Sequence, residues 1–126
     1  MKWRRPPDEL VEYLDSVIPD GPAPVEFRPM FGAPCYWTGG NMFAALHQEN
    51  MIVRLGEQDR AALLAAPDAT LFEPMEGRPM REYVVIPPAI VRDRDAVRGW
   101  LAKGLAYTAS LPPKEKNPRR RKPATG

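Results

Sequence analysis

The sequence predicts an α+β fold of two layers, in which an antiparallel β-meander sheet carries an N-terminal and a C-terminal helix on one face. Apolar residues recur at helical spacing near both ends of the chain. Between them lie short β-favouring runs separated by tight-turn signals. A length of 126 residues suits a single domain with its own core.

The first helix opens at Pro6-Pro7, with Asp8 and Glu9 in its first turn, where negative charge suits the helix dipole. Leu10, Val11, Leu14, Val17 and Ile18 form its apolar stripe, and the proline-rich run from Pro19 to Pro24 ends it. Val25 to Phe31 reads as a strand with Val25, Phe27 and Met30 turned to apolar surroundings. Cys35-Tyr36-Trp37 begins a second strand, Thr38-Gly39-Gly40-Asn41 is a hairpin turn, and Met42 to Gln48 returns. Glu49-Asn50 is the next tight turn, before a strand from Met51 to Leu55.

Two-residue turns at these places set a register that pairs Trp37 with Met42, Cys35 with Ala44, and Leu46 with Val53. One face then collects Cys35, Trp37, Met42, Ala44, Leu46, Met51, Val53 and Leu55, and should meet the helices. The other collects Tyr36, Phe43, Ala45, His47, Ile52 and Arg54. A one-residue slip would exchange the faces, so both assignments depend on regular pairing.

Gly56 caps a short helix that runs to Ala66 and stops at Pro67. Residues 67–80 are rich in turn formers, and Arg81 to Ile86 is the last strand. In the final helix Val97, Trp100, Leu101, Gly104, Leu105 and Thr108 share one stripe, Asp93 and Asp95 precede it, and Pro112-Pro113 closes it. Gly104 on that stripe implies close packing against the sheet; Gly99 has no evident purpose. The expected organisation is a domain over 1–113 and a disordered basic tail over 114–126.

Charge is unevenly spread. The chain has 18 basic and 16 acidic residues. Residues 114–122 hold six basic and one acidic, which leaves 12 basic and 15 acidic for the rest. An acidic body argues against nucleic-acid binding through the fold. The tail residues Lys114, Lys116, Arg119, Arg120, Arg121 and Lys122 suit phosphate contacts without sequence preference, or serve only as a solubilising end. In the first case, deleting residues 114–126 would abolish a strongly salt-dependent binding. A single cysteine fits a reducing compartment, no apolar stretch follows the basic N-terminus, and no run is long enough to span a membrane. A cytoplasmic protein without a membrane partner is expected.

Several phrases carry a resemblance. Met30-Phe31-Gly32 leads into an aromatic strand, Gly40-Asn41-Met42-Phe43-Ala44 forms the hairpin return, and Phe72-Glu73-Pro74-Met75 precedes Gly77-Arg78-Pro79-Met80 and Glu82-Tyr83-Val84. In their order and spacing these resemble the TfoX N-terminal domain family, from the first helix to about Leu111. The resemblance implies a helix–sheet–helix domain that precedes a second, helical domain in longer relatives, where it serves regulation of competence for DNA uptake together with other transcription factors. It supplies no catalytic residues.

The residues themselves offer little chemistry. Cys35 and His47 are the candidates for a thiol–imidazole pair, yet regular register puts them on opposite faces. One Cys and one His do not make a usual zinc set. Ser16 and Ser110 sit at helix ends, Gly39-Gly40 belongs to a hairpin, and Glu9, Glu12, Asp93 and Asp95 read as helix-start and surface groups. Met30, Met75 and Met80 suit either a ligand pocket or flexible core filling. No catalytic, cofactor-binding or metal-binding residue is assigned and no cofactor is expected.

The sharper expectation concerns Tyr36, Phe43, His47, Ile52 and Arg54, which regular register gathers into an aromatic patch suited to a protein partner or to self-association. The alternative is that the chain's own segment 67–80 covers this face. The preferred functional expectation is a non-enzymatic interaction or regulatory module. Its rival is a small-molecule binder or enzyme using Arg78 and Tyr83, with His47 converging on them.

Overall fold

The first helix, α1 (Asp8–Val17), buries Leu14 and Val17. The computed structural model describes residues 6–19, 23–30, 33–75 and 78–112. A short strand β1 (Glu26–Phe27) follows, then β2 (Cys35–Thr38), β3 (Asn41–His47), β4 (Asn50–Arg54) and helix α2 (Glu57–Leu64). After these come β5 (Thr70–Met75), β6 (Arg78–Val85), a one-turn helix α3 (Pro88–Val91) and the long helix α4 (Arg94–Ala109). The strands form one antiparallel sheet in the order β1-β2-β3-β4-β6-β5.

The α+β, two-layer expectation holds. Leu14 and Val17 of α1, Leu63 of α2, and Val97, Leu101 and Leu105 of α4 share one core with Leu46, Met51, Val53 and Val84 of the sheet. Asp93 caps α4 by accepting a hydrogen bond from the Ala96 amide at 3.1 Å. Gly104 lies where α4 presses closest: a Cβ there would sit 2.5 Å from Val53 Cγ2 and 2.9 Å from the Arg54 carbonyl oxygen.

Four sequence expectations change. First, the hairpin at Gly39-Gly40 forms as expected, with both φ angles positive (59° and 81°), as a type I′ turn requires, and Trp37 pairs with Met42. Beyond that pair the register shifts, so Tyr36 faces Ala44 and Cys35 faces Ala45. Phe43 is therefore the extra residue of a β-bulge. It exchanges faces: Tyr36 and Phe43 turn under the helices, while Cys35, Trp37 and Met42 turn to the opposite side.

Second, the next turn is Gln48-Glu49, not Glu49-Asn50, with Gln48 at φ 58°. Leu46 consequently pairs with Met51 instead of Val53. Opposed residues keep the same parity, so Met51 and Val53 still face the helices.

Third, part of the turn-rich segment 67–80 is a hairpin. Pro74 is tolerated because β5 is an edge strand, and Pro79 because β6 pairs with β4 only from Tyr83 to Val85. Adjacent strands lie about 4.8 Å apart, so in a flat sheet β5 would run roughly 14 Å from β3. Yet the Phe72 ring of β5 stands edge-on to His47 of β3, with centroids 5.1 Å apart. The hairpin therefore curls across the second face, helped by its two register shifts.

Fourth, β1 is much shorter than Val25 to Phe31, and of Val25, Phe27 and Met30 only Val25 packs against the core. Phe27 is 54% exposed and Met30 is 42% exposed.

Candidate interaction surface

The sheet face away from the helices carries a second cluster, in which Cys35, Ala45, Ile52, Phe72 and Tyr83 are buried with Trp37, Met42 and Val85 against them. The chain's own β5 thus covers the centre of this face. The five residues that regular register gathers are dispersed: Tyr36 and Phe43 lie in the helix-side core, Ile52 lies under Phe72, and only His47 and Arg54 stay partly exposed.

Cys35 and His47 prove to share a face, because the bulge sets Cys35 opposite Ala45, two residues before His47. They are not joined by a hydrogen bond: the Cys35 thiol donates to the Ala33 carbonyl at 3.7 Å, and His47 packs its ring on Phe72. Burial pushes the thiol pKa up, against forming a nucleophilic thiolate. The Tyr83 hydroxyl donates to the Met42 carbonyl at 2.9 Å, and burial pushes its pKa up as well. The side chain of Arg78 and all the tail residues, Lys114 to Lys122, lie outside the described residues. Among the described residues, no group of three or more His, Cys, Asp and Glu is placed to share a metal ion.

A polar network that sequence reading missed stands where α4 and α2 meet the sheet. Arg54 Nε donates to Glu82 Oε1 at 2.8 Å, and the Tyr107 hydroxyl donates to Glu82 Oε2 at 2.9 Å. The Arg54 guanidinium also lies 5.5 Å from the centre of the Tyr83 ring. Burial alone would raise the Glu82 pKa, but the bonds from Arg54 and Tyr107 and the charges of Arg54 and Arg60 outweigh it and lower it. The folded pKa lies below the ordinary value of 4.5, so this stabilisation is full above 4.5 and is lost as pH falls through the folded pKa. Glu82→Gln is expected to weaken the fold at neutral pH and to flatten the loss of stability on acidification. Urea titrations of both proteins at a series of pH values measure this; parallel curves would show that Glu82 adds nothing.

The remaining surface feature is the β1 edge. Phe27 packs its ring on Tyr36 with centroids 5.3 Å apart, and the Tyr36 hydroxyl donates to Asp15 Oδ1 at 2.7 Å. Phe27, Tyr36, Val25, Ile18 and Asp15 line an open groove of about 540 Å³ beside α1. On the other side of the strand, the Arg28 guanidinium lies 4.5 Å from the centre of the Trp37 ring and 3.4 Å from Glu26. Strand alternation of Val25, Glu26, Phe27 and Arg28 was visible in the sequence; that the strand is an edge was not.

Fold and surface together define a two-layer α+β domain with one sheet face closed by helices, the other covered at its centre by β5, and an exposed apolar side chain at the β1 edge. The chain matches the TfoX N-terminal domain over residues 12–108 and belongs to that family. The match begins inside α1 and ends inside α4, so it takes in the whole sheet and leaves out the tail. No curated protein matches the chain. No helix among the described residues is long and apolar enough to cross a membrane.

Proposed function

We propose that this chain is a non-enzymatic interaction module with a regulatory role, of the kind the family resemblance implies in control of transcription or DNA uptake. It binds a polypeptide partner through the β1 edge. The observation that carries this reading is the exposure of Phe27 on an edge strand, with Met30 exposed three residues further on. Exposed apolar side chains beside open strand backbone offer a polypeptide both burial and main-chain hydrogen bonds. The groups with chemical potential have other work: Tyr83 holds Met42, Cys35 is sealed, and His47 supports Phe72. These commitments weigh against the rival reading of a binder or enzyme built on Tyr83 and His47.

Site-specific photocrosslinking in cells that make the protein tests the surface. A photoreactive phenylalanine analogue at position 27 is expected to form light-dependent adducts with a polypeptide. The same group at position 99, where a side chain would meet open space, serves as the control. Equal labelling from the two positions would refute the surface.

A further inference from the structure

We propose that the polypeptide received by the β1 edge is a second copy of this chain, paired antiparallel about a two-fold axis through Phe27. The proposal rests on the interaction reading above and names its partner. Three features of the edge carry it.

The first is backbone direction. Arg28 N–H donates to the Cys35 carbonyl at 3.0 Å, and Met30 and Ala33 exchange bonds at 3.0 and 2.9 Å. In an antiparallel ladder, hydrogen-bonded and non-hydrogen-bonded pairs alternate. Phe27, opposite Tyr36, is therefore at a non-hydrogen-bonded position, and its N–H and C=O point away from β2 along the outer edge of the sheet. Two copies meeting there exchange a reciprocal pair of bonds between Phe27 and Phe27 of the second copy.

The second is charge. Glu26 and Arg28 flank Phe27 and are about equally exposed, at 46% and 44% of their side chains. Antiparallel pairing centred on Phe27 sets Glu26 opposite Arg28 of the second copy, and Arg28 opposite Glu26 of the second copy. The edge is thus complementary to itself, which an isologous contact requires. Like charges in those positions would repel.

The third is the apolar surface. Phe27 projects on the same side as Tyr36 and the groove lined by Ile18 and Val25. The two-fold axis would bring both exposed phenylalanines together and join the two grooves. Pro24 and Pro29 bound the segment, and Pro29 has no N–H for a longer ladder. Pairing is therefore short, the dimer weak and concentration-dependent, and a two-fold contact closes on itself without forming a fibre.

Sedimentation velocity of the purified full chain over a concentration series tests the proposal. The parent is expected to show a monomer–dimer equilibrium. Glu26→Arg alone and Arg28→Glu alone, with circular dichroism checking the fold, should each weaken dimerisation by about tenfold, because each turns two opposite-charge pairs into like-charge pairs. Mixing these two single variants should restore a dimer as a heterodimer, and the double variant E26R/R28E should restore it alone. A parent that stays monomeric throughout, or single variants that dimerise like the parent, would overturn self-pairing. In either of those cases, crosslinks from position 27 to a different polypeptide would leave the interaction reading standing, and no crosslinks at all would remove both.

Discussion

Phe43→Ala is expected to remove about 4 kcal/mol of folding stability, in line with the 3–5 kcal/mol typical of a fully buried phenylalanine. Phe43 is completely buried among the helix-facing residues, although regular alternation of β3 would put it on the opposite side. The bulge directs both Phe43 and Ala44 toward the helices, so the ring fills space that Ala44 could not. Truncation would leave a cavity there. A domain of this size commonly has only 5–15 kcal/mol in total, so the variant should unfold at a much lower urea concentration, with a similar denaturant slope. Phe43→Leu should lose far less, because it keeps most of the volume. The comparison separates two placements of one residue. On an exposed contact patch, alanine at 43 would cost under about 0.5 kcal/mol. A loss that small would contradict the bulge.

The same bulge marks where the sequence stopped being readable. Helices α1, α2 and α4, the I′ hairpin and the strand order through β4 follow from periodicity and turn chemistry, which act over a few residues; the one-turn α3 does not. A bulge inserts one residue without leaving a breaker in the sequence: Met42-Phe43-Ala44-Ala45 is apolar throughout, and the core decides which two successive side chains it takes. Once Phe43 shifts the pairing, Cys35 moves beside the residues of the second cluster and Tyr36 leaves them. The faces of Cys35, Tyr36, Trp37, Met42 and Phe43 moved with it, and so did the separation of Cys35 from His47, while Ala44, Leu46, Met51, Val53 and Leu55 kept the helix side. The β5–β6 hairpin was hidden for a different reason. Pro74 and Pro79 are turn formers by local rules, but an edge position tolerates the first, and β4 pairs with β6 only at Tyr83, Val84 and Val85, beyond the second. The Phe27 edge was legible as alternation, yet whether a strand has one neighbour or two is decided by topology.

Gly104→Ala is expected to destabilise the protein by about 2 kcal/mol, although alanine is the better helix former. The new Cβ would approach Val53 Cγ2 to 2.5 Å and the Arg54 carbonyl oxygen to 2.9 Å. A valine methyl can turn aside, but the carbonyl oxygen belongs to β4 backbone. Relief therefore requires α4 to lift from the sheet along the face that buries Leu101 and Leu105. Overpacking of this kind costs up to about 3 kcal/mol, and the helix-propensity gain of about 1 kcal/mol offsets only part of it. The expected shift in Tm is roughly 8 °C downward for a chain of this size. Gly99 supplies the control within the same helix, because a Cβ there meets nothing within 4 Å. Gly99→Ala should therefore show the propensity term alone, a gain of up to about 1 kcal/mol. Opposite signs from one substitution, five positions apart on α4, would be hard to obtain from any general change in helix strength. Equal gains at both positions would mean that α4 stands further from β4 than the Val53 and Arg54 contacts require. The two glycines look alike in the sequence except that one lies on the apolar stripe, and that position alone argued for close packing; the approach of the Arg54 carbonyl explains why no side chain fits there.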